Sequence, residues 1–80
     1  DKVLVQGIVD LWYRCDGKTV VLDFKSDRIT GTDEEVLAEL KKRYAAQLSI
    51  YSQAVKRESG AKVDEQVIWL LSRGREYLVN

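Results

Sequence analysis

Three charged side chains interrupt two neighbouring apolar stretches of the 80-residue sequence. Asp10 ends the run VLVQGIVD, and Asp23 and Lys25 lie within VVLDFK. A pair of carboxylates can hold a divalent cation such as Mg²⁺, which also keeps waters and the phosphate oxygens of a substrate as ligands. An ammonium group beside that cation can orient or deprotonate a water for attack at phosphorus, or stabilise the charge that develops there. These residue types indicate metal-assisted hydrolysis if the fold brings them together.

The residues between the two stretches predict a tight β-hairpin. Apolar residues alternate with polar ones from Val3 to Arg14, which predicts one strand, and a second strand is expected from about Thr19 to Lys25. Asp-Gly between two such strands is typical of a two-residue type I′ turn, in which both central residues need a positive φ.

The hairpin register decides whether the charged residues meet. If the turn is Asp-Gly, Cys15 pairs with Lys18 and Asp10 lies directly opposite Asp23, with Cβ atoms about 5 Å apart. Lys25 shares their face because side chains two positions apart in a strand point the same way. The two carboxylates would repel by about 3 kcal/mol at an effective dielectric constant near 20, so a proton, the ammonium or a cation must offset the repulsion. The alternative is an ion pair of Asp23 and Lys25 at a sheet edge, with Asp10 facing solvent.

The rest of the sequence predicts one long helix and two further strands. Thr32 and Glu35 have the spacing of a capping box, and Gly60 is a plausible helix end. Apolar side chains recur between them at helical spacing, at Leu37, Leu40, Tyr44, Leu48, Tyr51 and Val55. Strands are expected within residues 63–72 and 74–80. The predicted fold is α/β, with β-β-α-β-β order and the helix on one face of a small mixed sheet whose other face lacks a cover.

Composition narrows the class of protein. With no His and one Cys, Cys15, a structural zinc site is excluded and a reducing, cytoplasmic compartment is expected. Lys and Arg together number 13, as do Asp and Glu, so the overall basic charge common among nucleic-acid binders is missing. No stretch approaches the length of a membrane span. Because the chain contains no Met and opens within an apolar run, we expect residues 1–80 to be a single domain cut from a larger bacterial protein.

Three motifs in order resemble a known nuclease family. They are Gly7-x-x-Asp10, then Asp23-Phe24-Lys25, and then Gln47 with Tyr51 four residues later. Together they resemble the PD-(D/E)xK nuclease superfamily, in its RecB-like branch, and are most similar to the C-terminal nuclease domain of AddA-type helicase–nuclease subunits. The resemblance implies a restriction-endonuclease-like core. The helix that usually precedes the first strand in that family is not found in this sequence.

The resemblance also implies roles for individual residues. Asp10, Asp23 and the backbone carbonyl of Phe24 would bind Mg²⁺ or Mn²⁺, and Lys25 would be the catalytic lysine. Two helix residues would support that lysine or contact the DNA backbone, and these are Gln47 and Tyr51.

The function implied is metal-dependent hydrolysis of DNA by an exonuclease, within an ATP-dependent helicase–nuclease that processes double-strand breaks for recombination. The expected partners are DNA and a second, AddB-like subunit, and the chain itself could form a homo-oligomer. Two alternatives remain open. One is a catalytically inactive nuclease-like module that binds DNA or holds a complex together, and the other is a small α/β domain with an accidental Asp-x-Lys. Asp27 and Arg43 fit either a solvated surface or contacts with DNA.

Overall fold

The computed structural model has mixed α/β architecture, and it describes residues 2–3 and 11–80. Its elements in chain order are β1 (Lys2–Val3), β2 (Leu11–Cys15), β3 (Lys18–Lys25), α1 (Asp33–Ser59), β4 (Glu65–Leu70) and β5 (Arg75–Leu78). The five strands form one sheet in the order β1-β2-β3-β4-β5. The β3–β4 pair is parallel, which α1 makes possible by crossing over between them, and the other pairs are antiparallel. The predicted fold class is confirmed.

The prediction of one continuous strand from Val3 to Arg14 is wrong. Lys2 pairs with Tyr13 and Val3 with Trp12 in an antiparallel ladder, so β1 runs beside β2 in the opposite direction. An alternating pattern predicts extended chain, but it does not show where that chain reverses, and two antiparallel strands produce the same alternation as one long strand.

The β2–β3 hairpin has the predicted turn and register. Asp16 and Gly17 both have positive φ, 52° and 77°, as a type I′ turn requires. Cys15 lies opposite Lys18, and the ladder continues as predicted to Leu11 opposite Leu22. The Asp-Gly turn therefore determines which residues of the two strands face each other.

Both predicted ends of the helix are confirmed. At the start, the Thr32 hydroxyl accepts a hydrogen bond from the Glu35 N–H at 3.2 Å, and the Glu35 carboxylate accepts one from the Thr32 N–H at 2.8 Å. At the end, Gly60 adopts the left-handed conformation with φ of 76°, and its N–H donates to the Lys56 carbonyl. The capping box and the glycine thus satisfy backbone groups that the helix leaves without partners.

The core lies between α1 and one face of the sheet. Buried residues of the helix pack against buried residues of β3, β4 and β5; the cluster includes Val36, Leu40, Leu48 and Val55 from α1 and Val21, Ile68, Leu70 and Tyr77 from the sheet. Trp12, opposite Val21, lies on this face and packs against the cluster. Because side chains alternate along a strand, Asp23 and Lys25 point toward the helix as Val21 does.

The other face of the sheet is partly exposed, in line with the expectation that it lacks a cover. Phe24 and Leu78 are exposed there, Trp69 is half-buried, and Val20 and Val67 between them are buried. In the part of the chain that the structure describes, no helix has both the length and the apolar character needed to cross a membrane.

Candidate active site

Asp23 and Lys25 form an ion pair at the carboxyl end of β3. The Lys25 Nζ lies 3.0 Å from the Asp23 Oδ2, and the Lys25 and Asp23 side chains are 18% and 3% exposed. The ion pair of the alternative interpretation is therefore present, but it does not lie at a sheet edge. β3 is central, with β2 on one side and β4 on the other, and the pair faces α1.

The burial of Asp23 has an energetic consequence. An ionised carboxylate removed from water is strongly destabilised unless an opposite charge or hydrogen-bond donors compensate it. Lys25 supplies that charge within hydrogen-bonding distance, while its own ammonium remains partly accessible. The pair thus presents a buried carboxylate and a reachable ammonium side by side, which is the arrangement that metal-assisted hydrolysis needs.

Tyr44 of α1 is the helix residue that contacts the lysine. The Lys25 Nζ lies 4.5 Å from the centroid of the Tyr44 ring, within the range of a cation–π interaction. The Tyr44 hydroxyl donates a hydrogen bond to the Asp27 Oδ2 at 2.6 Å. Burial, together with the neighbouring Asp27 carboxylate, raises the pKa of Tyr44 to about 12. The phenol is therefore protonated at neutral pH and acts as a donor.

Asp27 holds the loop after β3 against the helix. The hydrogen bond from Tyr44, aided by Arg43, lowers the pKa of Asp27 below its usual value, so its carboxylate is charged at neutral pH. The Arg43 Nη1 lies 2.8 Å from the Asp27 Oδ2, and the Arg43 Nε donates to Glu39 at 2.7 Å. The backbone carbonyl of Asp27 accepts a hydrogen bond from the Ser72 hydroxyl at 2.6 Å. Both α1 and the turn after β4 therefore anchor this loop.

Gln47 and Tyr51 lie on the face of α1 that carries Tyr44, because residues three, four and seven positions apart line one side of a helix. The Gln47 Oε1 is buried, and it has no hydrogen-bond partner among the described residues. Tyr51 is half-buried and packs against the core cluster. Support of Lys25 by these two residues stays a prediction, and the contact that the structure shows is made by Tyr44.

Gly7 and Asp10 lie outside the described residues, so the predicted meeting of Asp10 with Asp23 stays a prediction. The observed ladder ends with Leu11 opposite Leu22, and one more step in the same register would pair Asp10 with Asp23. Within residues 2–3 and 11–80, no group of three or more Asp, Glu, His or Cys side chains is arranged to hold a metal ion.

A comparison with known families matches residues 1–79 to the model of the PD-(D/E)XK nuclease superfamily. The chain belongs to the PD-(D/E)XK nuclease superfamily. Its curated relatives include large subunits of the AddA type, whose names describe an ATP-dependent helicase/nuclease. The relative from Bacillus pumilus is 36% identical over 86% of this chain, and the one from Carboxydothermus hydrogenoformans is 35% identical over 99%. A third, from Clostridium botulinum, is 32% identical over 99%. The nuclease chain spans 6% of the length of each of these relatives.

Sequence reasoning missed the contact of Tyr44 and gave Asp27 and Arg43 no definite role. The pattern assigned Tyr44 to the apolar stripe, and it does lie between the fully buried Leu40 and Leu48. The available signal was the combination of a tyrosine hydroxyl on a core-facing position with an acidic residue just after the strand that carries Lys25. A buried hydroxyl needs a hydrogen-bond partner, and a nearby loop carboxylate can provide it.

Proposed function

We propose that this chain is the DNA-cleaving core of a bacterial, cytoplasmic ATP-dependent helicase–nuclease that degrades DNA ends as an exonuclease during double-strand-break repair and recombination. The observation that carries the proposal is the ion pair of Asp23 and Lys25, held on a central strand and facing the helix, in a chain of a nuclease superfamily. The names of its relatives support the helicase–nuclease setting. The partners we propose are DNA and a second, AddB-like subunit.

The proposed cofactor is Mg²⁺ or Mn²⁺. The donors fit a hard cation, since Asp23 offers carboxylate oxygens, the Phe24 carbonyl follows it along the strand, and one further step of the ladder adds Asp10. When bound, the cation would polarise the phosphate and make an attacking water more acidic. The proposal depends on Asp10, because the described residues do not by themselves gather three acidic side chains.

The protein's own side chains divide the remaining work. The buried Asp23 carboxylate fixes a negative charge at the end of β3, and the Lys25 ammonium next to it can orient a water or stabilise a charged phosphate oxygen. The Tyr44 ring and the core around Val21 exclude solvent from one side of the pair. In such a partly desolvated site, electrostatic interactions are stronger than they are in water.

Two substitutions test this function. We expect Asp23→Ala and Lys25→Ala to reduce Mg²⁺- or Mn²⁺-dependent cleavage of DNA by at least about a hundredfold, as loss of a key electrostatic group typically does. Lys62→Ala, an exposed lysine in the loop after α1, is the matched control and should cleave as the wild type does. The assay follows release of nucleotides from end-labelled duplex DNA by the purified protein that contains this chain.

Metal binding provides a readout independent of cleavage. Titration with Mn²⁺ should broaden amide NMR signals around Asp23 in the wild type, and Asp23→Ala should abolish this selective broadening. Wild-type cleavage by either alanine variant would overturn the nuclease assignment. DNA binding that survives Asp23→Ala, without cleavage or selective broadening in the wild type, would instead favour the alternative of an inactive nuclease-like module.

A further inference from the structure

We propose that Tyr44 is a positioning residue for the catalytic lysine, and that Asp27 holds Tyr44 in place. This inference rests on the function proposed above, because it assigns Tyr44 a role that acts through Lys25. Its basis is geometric. One helix side chain both lies under the Lys25 ammonium and donates a hydrogen bond to the loop that follows the lysine.

The lysine is constrained from two directions. The Asp23 carboxylate attracts its ammonium at 3.0 Å, and the face of the Tyr44 ring attracts the same ammonium with 4.5 Å to the ring centroid. A lysine side chain is flexible, with a compact charge on a four-carbon stem. Two attractions on different sides reduce its freedom, and the ammonium stays next to the carboxylate proposed to bind the metal.

The tyrosine is itself fixed. Leu40 and Leu48, one turn before and after it on α1, are fully buried and hold this stretch of the helix to the sheet. The Tyr44 hydroxyl is bound to Asp27, and Asp27 is bound in turn by Arg43 and, through its backbone, by Ser72. A ring with a packed body and a bonded hydroxyl offers the lysine a stationary surface, as positioning requires.

The chain contains a similar set of contacts far from the lysine in sequence, which serves as a control. The Tyr77 hydroxyl donates to Asp33 at 2.8 Å, the Arg75 guanidinium lies 5.2 Å from the Tyr77 ring centroid, and Arg73 also binds Asp33. Tyr77 therefore combines the same three features: a buried ring, a carboxylate partner and a nearby cation. Substitutions there remove the same kinds of contact without touching Lys25.

The first experiment measures the geometry directly. An aromatic ring shifts the NMR signals of protons above its face upfield, so the Lys25 ε-methylene signals should be shifted in the wild type. Tyr44→Phe should keep that shift because it keeps the ring, whereas Tyr44→Met and Tyr44→Leu should lose it. Tyr77→Leu should leave the Lys25 signals where they are.

The second experiment measures the consequence for cleavage. We expect Tyr44→Met to lower kcat about tenfold with KM changed less than about threefold, since positioning acts on the reacting groups rather than on DNA binding. Tyr44→Phe should lose less than about threefold in kcat, because the ring remains while the hydrogen bond to Asp27 is lost. Tyr77→Leu should retain wild-type kcat although it also loses core packing.

A graded series covers the case in which Tyr44→Met and Tyr44→Leu do not fold. Phenylalanines of increasing ring fluorination at position 44 keep nearly the same shape while the negative potential of the ring face weakens, so kcat should fall with each fluorine. A flat series, or an unchanged Lys25 signal in a folded Tyr44→Met protein, would overturn the positioning role and leave the nuclease assignment intact. Full cleavage by Lys25→Ala would instead overturn the nuclease assignment itself, whatever the NMR signals show.

Discussion

Asp23 is the one charged residue that is buried among those whose burial the structure describes, at 2% exposure. At the scale of single residues, this burial requires compensation, and Lys25 provides it. Proteins rarely bury a carboxylate on a central strand for stability alone, because an apolar residue of similar size is often as stable or more stable there. A buried carboxylate in such a place is better explained by function than by folding.

A double-mutant cycle tests the strength of this pair. We expect Lys25→Met to destabilise the protein because it leaves the Asp23 carboxylate buried without its cation, and Asp23→Asn in the same chain to recover part of the loss. The coupling free energy between the two substitutions should be about 1 to 3 kcal/mol, measured by urea unfolding at pH 7.

A surface pair provides the control for that cycle. The Lys18 Nζ lies 3.3 Å from the Glu65 Oε2, but these side chains are 60% and 32% exposed. The cycle of Lys18→Met with Glu65→Gln should therefore give a coupling below about 1 kcal/mol. Equal coupling in the two cycles would contradict the argument that burial strengthens the Asp23–Lys25 interaction.

At the scale of elements, the helix and the hairpin were predictable because their determinants are local. Asp16-Gly17 specifies its turn through two adjacent positive φ angles, and Thr32 with Glu35 specifies the helix start within four residues. The two-strand arrangement at the start of the chain was not predictable, since alternation does not reveal a reversal of direction. The contact of Tyr44 with Lys25 was also out of reach, because it depends on where α1 lies across β3.

The two ends of α1 should contribute to stability independently. Thr32→Ala removes one side of the capping box and should lower the free energy of unfolding by about 1 kcal/mol. Gly60→Ala should lower it by about 1 to 2 kcal/mol, since a Cβ at Gly60 meets no atom within 4 Å and the cost is the left-handed conformation alone.

The two effects should add within about 0.5 kcal/mol because the sites lie at opposite ends of a 27-residue helix. Ser49→Ala, on the exposed face in the middle of α1, is the control and should not reduce stability, since Ala is the better helix former. Thermal and urea unfolding of the single and double variants measure these changes. A double variant no less stable than the worse single variant would contradict independent caps.

At the scale of the whole molecule, Asp33 joins the start of α1 to the last hairpin. Its carboxylate binds Tyr77 of β5 and the two arginines that flank Gly74, Arg73 and Arg75. These contacts connect residues at least 40 positions apart in sequence. The carboxyl end of the sheet is thus fastened to the helix at Asp33 and, through Asp27, beside the candidate site.

The Asp33 contacts make stability depend on pH in a defined direction. The hydrogen bond from Tyr77, followed by the charges of Arg75 and Arg73, lowers the pKa of Asp33 below its usual value in the folded protein. Its contribution is therefore fully present above the unfolded pKa of about 3.9, and it is lost as pH falls through the lower folded pKa.

We expect Asp33→Asn to be less stable than the wild type at pH 7, and the difference between them to shrink as pH is lowered below about 4. Urea unfolding at a series of pH values measures it. Glu58→Gln, an exposed acidic residue near the other end of α1, should show a smaller difference at pH 7. A difference for Asp33→Asn that stays constant from neutral pH down to strongly acidic pH would show that its charge contributes nothing.

The placement of the two tryptophans gives the molecule a pair of separate optical probes. Trp12 lies on the helix-facing side of the sheet, opposite Val21, and is therefore a diagonal neighbour of Asp23, while Trp69 lies on the other side. The fluorescence of Trp12 will respond to ions or ligands that reach the candidate site. The fluorescence of Trp69 will respond to contacts on the opposite face. Replacing one tryptophan at a time with phenylalanine separates the two signals, so binding at each face can be followed in the same protein without an added label.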